Sequence, residues 1–177
     1  ADTPYVLETI KAVISATDVP LIGFAGAPFT VASYLIEGRP SRTYGATKAL
    51  MLGDEALWFD LMEALGDLAI ASIRSQVNAG ARAVQLFDSW AGALTPAHYR
   101  RYVLSTSQRV FAELADLNVP RVHFGVGTGE LLGLFAEVLG IDEEEHALCP
   151  GELEQAVDRG DRRVRLAGAR GHLDEGA

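Results

Sequence analysis

Three short apolar runs each lead into a glycine-containing turn and then a helical stretch, and this alternation constrains the fold more than any other feature. Pro20 to Phe24, Arg82 to Phe87 and Arg121 to Gly125 read as strands. Helical segments lie between them, so consecutive strands are expected to run parallel, joined by crossovers into βαβ units. Caps and periodicity place the helices. Thr3 and Pro4 open the first, with Val6, Leu7, Ile10, Val13 and Ile14 on one face. The next carries Val31, Leu35 and Ile36. After the breaks at Gly38, Pro40 and Gly45 comes another, near Ala46 to Leu52. A long helix is expected from Asp54 to about Asn78, with Leu57, Leu61, Leu65 and Leu68 as its stripe and Gly80 closing it. Thr95-Pro96 opens one further helix, carrying Tyr99, Val103, Val110 and Leu114, and the last covers Glu130 to Leu139.

Past Gly140 the character changes. Asp142 to Glu145 is an acidic run, Arg159 to Arg170 is dense in charge, and no buried strand is visible where one is due. Residues 1–140 are therefore expected to form the α/β part, and 141–177 a divergent charged tail, helical or disordered. The start at Ala1 reads as a processed, trimmed or partial chain.

Bulk properties narrow the function classes. A net charge of −9 disfavours nonspecific nucleic-acid binding, which is driven by phosphate neutralisation. It leaves room for a small anionic ligand held by local arginines or helix N-termini. No apolar run approaches the roughly 20 residues of a membrane span. One cysteine, Cys149, permits no internal disulfide and no thiolate cluster. A cytoplasmic location is the expectation.

Three turns carry candidate chemistry. The first, Gly23 to Thr30 with Tyr34 behind it, is either a tight connection or a ligand-facing loop whose Tyr34 hydroxyl donates or accepts. Arg39 and Arg42 follow, as carboxylate grips or as solvated charges. The second is Leu86-Phe87-Asp88-Ser89-Trp90-Ala91-Gly92. Ser89 lacks the G-x-S-x-G context of a hydrolase nucleophile, and reads as a helix cap or a ligand-facing hydroxyl. Phe87 reads as core or as a face for a flat ligand, and Asp88 as a general base or a solvated turn carboxylate. The third, Gly125-Val126-Gly127-Thr128-Gly129, has G-x-G-x-G spacing rather than the G-x-G-x-x-G of a dinucleotide loop, and reads better as a tight turn aiming helix amides at an anion. The histidines His98, His123, His146 and His172 are scattered, so no metal site is expected. His98 belongs on a helix face and His123 in a strand.

Taken together, the first two turns resemble the uroporphyrinogen decarboxylase family. The run Gly23-Phe24-Ala25-Gly26-Ala27-Pro28-Phe29-Thr30, with Tyr34 and Glu37-Gly38 after it, looks like that family's internal signature. Tyr5-Val6-Leu7-Glu8, the stretch from Gly80 to Gly92 and His123 to Gly129 add to the resemblance, which runs from about Thr3 to Leu139 and then fades. It implies a (β/α)8 barrel, here partial, usually a homodimer and working without metal or organic cofactor. The implied reaction removes carboxyl groups from the four acetate arms of uroporphyrinogen, giving coproporphyrinogen in haem biosynthesis. Tyr34 and Ser89 are the substrate contacts the resemblance implies, with Phe87 beside them and Arg39 and Arg42 as weaker candidates.

The family's N-terminal Arg-Gln-Ala-Gly-Arg motif, the aspartate under the pyrrole nitrogens and the late histidine motif have no match, and Asp88 is not that aspartate. The expectation is a central fragment of such an enzyme, inactive or nearly so alone, with a divergent or out-of-frame tail. Its rivals are a noncatalytic tetrapyrrole- or anion-binding module, a methyltransferase-type relative of the same barrel, and, more remotely, a nucleotide-binding α/β domain.

Overall fold

A computed structural model of the chain describes residues 4–39 and 41–140. The expected charged tail, 141–177, and the cap at Thr3 lie outside the described residues. Three strands, β1 (Ile22–Gly26), β2 (Ala83–Asp88) and β3 (Arg121–Gly125), form one parallel sheet in the order β1-β2-β3. Helix α1 (Pro4–Ala16) precedes β1; α2 (Pro28–Glu37), α3 (Gly45–Gly53) and α4 (Glu55–Asn78) connect β1 to β2, α5 (Pro96–Tyr102) and α6 (Leu104–Glu113) connect β2 to β3, and α7 (Leu132–Leu139) follows β3.

Alternation along the strands separates two faces. Gly23, Ala25, Val84, Leu86, Asp88, His123 and Gly125 look toward the helices. A Cβ at Gly23 would lie 3.1 Å from the Gln76 side chain of α4, and one at Gly125 would lie 2.9 Å from Phe135 of α7. At Gly125 the added atom would also overlap the Thr128 side chain at 2.6 Å, so any larger residue forces a shift there, while at Gly23 it would require Gln76 to give way. The opposite face carries Phe24, Phe87 and Phe124, one from each strand, with ring centroids 5.6 and 5.3 Å apart. The core lies between sheet and helices, around Phe29, Met51, Trp58, Met62, Ile73, Leu86, Tyr99 and Phe111.

Several expectations need adjusting. β1 begins and ends two residues later than the apolar run, so Gly23 and Gly26 are strand residues and the connection to α2 shrinks to Ala27. The long helix has its expected limits, capped by Asp54, whose carboxylate accepts from the Leu57 amide at 3.0 Å. Its buried seam, however, is Trp58, Met62, Leu65, Ala69 and Ile73, while Leu57 and Leu68 are exposed. On α1 only Ile10 is buried, and the expected face residues Val6 and Val13 are exposed; the helix makes a small contact with α4. The single helix after Thr95 is two, broken at Val103. At the break the Trp58 indole donates to the Tyr102 carbonyl at 3.0 Å, so that acceptor is satisfied from α4. A short 3-10 turn, Gly129–Leu131, precedes α7 where a helix from Glu130 was expected.

The outer edge of β1 is partly closed by a side chain. Gln76 accepts from the Phe24 amide at 3.0 Å and donates to the Phe24 carbonyl at 2.8 Å, doing there what a neighbouring strand does elsewhere.

Candidate functional site

Because the strands are parallel, their outgoing turns gather at one end of the sheet, where strand-helix folds place their ligands. Pro28 at the first turn of α2 sets its backbone for helix entry, and the Ala27 amide donates to the Phe87 carbonyl at 2.9 Å. This fixes the start of α2 against the end of β2. Thr30, one turn into α2, donates from Oγ1 to Asp88 Oδ1 at 3.0 Å and accepts from the Trp90 amide at 3.2 Å. One further turn along, Tyr34 projects outward, 54% exposed, with its ring 3.8 Å from that of Trp90.

Tyr34 and the Ser89–Trp90 turn are thus brought together. Ser89 is half-buried, and its hydroxyl makes no hydrogen bond among the described residues. It does not cap the following 3-10 turn, which begins after Trp90 without a side-chain cap. The Tyr34 hydroxyl is likewise unpaired among the described residues. Phe87 is half-buried in the aromatic row on the face opposite α2 to α7. Arg39 and Arg42 are exposed in the connection from α2 to α3, and neither makes an ion pair among the described residues.

The glycine-rich third turn packs against the second. A Cβ at Gly92 would collide with the Val126 carbonyl oxygen and come within 2.7 Å of the Gly127 oxygen, so only glycine permits this approach. Gly127 has φ +66°, a left-handed turn.

Asp88 is neither a solvated turn carboxylate nor open to a ligand. It is the last residue of β2, points to the helix side and is 0% exposed. Besides Thr30, its carboxylate accepts from the Tyr99 hydroxyl at 3.4 Å and lies 3.6 Å from His123 Nε2. His123, in strand β3 as the sequence predicts, is buried and stacks on Phe135 at 3.9 Å. The Tyr99 phenol is held well above the usual tyrosine range, first by burial and then by the nearby negative charge of Asp88.

Two contributors escape a sequence reading. Trp90 sits in the motif, but nothing in the sequence shows that its ring meets Tyr34. Tyr44 reaches the same ring from the loop before α3, with centroids 5.0 Å apart, and holds an uncommon left-handed φ of 53°. Its phenol is pushed up by partial burial and then by Tyr34 and Glu37. Glu37 is itself anchored, accepting from the Thr47 amide at 3.0 Å and from its hydroxyl at 3.1 Å. The result is a three-ring wall of Tyr34, Trp90 and Tyr44 beside a serine hydroxyl. Such a surface suits a flat ligand carrying polar arms. Among the described residues no group of three or more His, Cys, Asp or Glu is placed to hold a metal ion.

A family model described as uroporphyrinogen decarboxylase (URO-D) matches residues 1–168, well past the Leu139 at which the motif resemblance fades. Among curated proteins, "Uroporphyrinogen decarboxylase" of Streptomyces griseus is 58% identical over 148 residues, covering 80% of this chain and 40% of that protein. The protein of the same name from Mycolicibacterium vanbaalenii is 63% identical over 122 residues, 69% of this chain and 34% of the relative. That from Thermobifida fusca is 50% identical over 172 residues, 88% of this chain and 48% of the relative. The chain therefore spans less than half the length of these curated relatives.

Proposed function

This chain belongs to the uroporphyrinogen decarboxylase family, and we propose that the full-length protein removes the carboxyl groups of the four acetate arms of uroporphyrinogen, giving coproporphyrinogen. Its three parallel strands and the helices behind them are part of the family's (β/α)8 barrel. The observation that carries the reading is the meeting of Tyr34 with the Ser89–Trp90 turn at the end of the sheet where the outgoing turns collect.

The chemistry asks little of a cofactor. The ring carbon next to the one bearing an acetate arm, beside the pyrrole nitrogen, takes up a proton, and the ring becomes an iminium cation conjugated with the arm-bearing carbon. The bond from the arm's CH2 to its carboxylate then breaks, carbon dioxide leaves, and the electron pair neutralises the ring. The exocyclic methylene left behind takes a proton to become a methyl group, and loss of the ring proton restores the pyrrole. The protein must hold a polyanion and favour a ring cation over the neutral ring. In this reading the Tyr34 and Ser89 hydroxyls donate to substrate carboxylates, while Phe87 packs near the ring system. Arg39 and Arg42 add positive charge at the approach. A homodimer and a cytoplasmic site of action complete the proposal; no helix among the described residues is long and apolar enough to cross a membrane.

Incubation of the full-length protein with uroporphyrinogen under reducing conditions, followed by oxidation and separation of products by carboxyl number, tests the reading. Seven-, six- and five-carboxyl intermediates should appear and drain into the four-carboxyl product. Binding of the tetrapyrrole with no loss of carboxyl groups would instead establish a noncatalytic binding module.

A further inference from the structure

Asp88 poses a physical problem that the proposed chemistry leaves open. A carboxylate with no solvent exposure is costly to bury unless something compensates, and it faces away from the substrate wall. Its partners show where the compensation lies. Asp88 Oδ1 accepts a hydrogen bond from the Thr30 hydroxyl, and the same hydroxyl oxygen accepts one from the Trp90 amide. Donation to a carboxylate makes that oxygen a better acceptor, so the two bonds strengthen each other. Tyr99 and His123 crowd the second carboxylate oxygen and keep the group from turning away.

The geometry around Ser89 is the consequence. The residue before it is tied down through a side chain and the residue after it through its amide, both to one hydroxyl of α2. Tyr34 lies four residues beyond Thr30 on the same helix face, with Trp90 packed on its ring. Two rungs, the Thr30 hydroxyl and the Tyr34–Trp90 pair, thus join α2 to the Ser89 turn.

We propose that Asp88 and Thr30 are positioning residues: the buried carboxylate, acting through the Thr30 hydroxyl, sets the spacing between the Tyr34 and Ser89 hydroxyls and so the recognition of the substrate's carboxylate arms. This rests on the substrate reading above. Neither side chain touches substrate, and neither takes part in proton transfer to it.

Thr30→Val and Thr30→Ser in the full-length protein separate the hydroxyl from the methyl group, since valine keeps the shape and serine keeps the hydrogen bonds. Thr30→Val should raise KM for uroporphyrinogen about tenfold with kcat changed much less, because it loosens binding that is equal in ground and transition states. It should also alter the near-ultraviolet circular dichroism of the tilted, closely packed Tyr34–Trp90 pair, with or without substrate. Thr30→Ser should return both readouts to near wild type. Wild-type KM and an unchanged aromatic spectrum in Thr30→Val would overturn the proposal, as would a serine variant as impaired as the valine one. Should Thr30→Val fail to fold, Asp88→Asn decides: a wild-type KM and aromatic spectrum there rejects the role of the carboxylate, and a raised KM with an altered spectrum supports it. A wild-type protein that does not act on uroporphyrinogen defeats the functional reading, and the aromatic spectra alone then decide this inference.

Discussion

Tyr99 is fully buried with its hydroxyl 3.4 Å from the Asp88 carboxylate, and its phenol titrates well above the ordinary tyrosine range. In the unfolded chain it ionises near pH 10, so the folded state retains that proton to higher pH. The resulting stabilisation is fully present below about pH 10 and is lost as pH rises through the raised folded value. Thermal melts across alkaline pH should therefore show Tm falling more steeply in wild type than in Tyr99→Phe. At neutral pH the same substitution should cost about 0.5–1.5 kcal/mol for the lost hydrogen bond. Legibility at this scale depended on what a residue touches. Tyr34 and Ser89 stand out in the sequence because they lie in glycine-rich turns after strands. The setting of Asp88 does not, because its partners Thr30, Tyr99 and His123 come from α2, α5 and β3, and strand alternation alone gives no hint that the next element covers it.

Helix α4 carries the contrast at the scale of elements. Its limits follow from local signals, an aspartate cap and an Asn78-Ala79-Gly80 exit, which need no knowledge of the rest of the chain. Its orientation does not, because a leucine stripe and the Trp58–Met62–Leu65–Ala69–Ile73 seam both satisfy helical spacing. The sheet and its neighbouring helices select the second. Trp58→Ala should cost about 3–5 kcal/mol in a urea titration, since it empties a fully buried site and frees the Tyr102 carbonyl. Leu68→Gln, on the exposed face, should stay within about 0.5 kcal/mol of wild type. The strands were legible as apolar runs, but the end of β1 was not. Gly26 reads as a turn residue because nothing local shows that it pairs with Phe87. The break between α5 and α6 is hidden for a similar reason, as it coincides with a hydrogen bond from a tryptophan 44 residues away.

At the scale of the molecule, the parallel sheet has helices on one face and the Phe24–Phe87–Phe124 row on the other. The alternation of strands and helices makes this architecture readable from sequence, and membership of the family supplies the barrel to which it belongs. In the proposed reaction, the substrate's carboxylate arms meet two hydroxyls held at one end of that sheet by α2 and the turn after β2. The most direct test is the steady-state kinetics of the full-length protein with uroporphyrinogen, comparing wild type with the double variant Tyr34→Phe/Ser89→Ala. Wild type should form coproporphyrinogen, and the double variant should show a KM raised about tenfold or more with unchanged circular dichroism in the far ultraviolet. A double variant that folds and keeps the wild-type KM would contradict this role for the two hydroxyls.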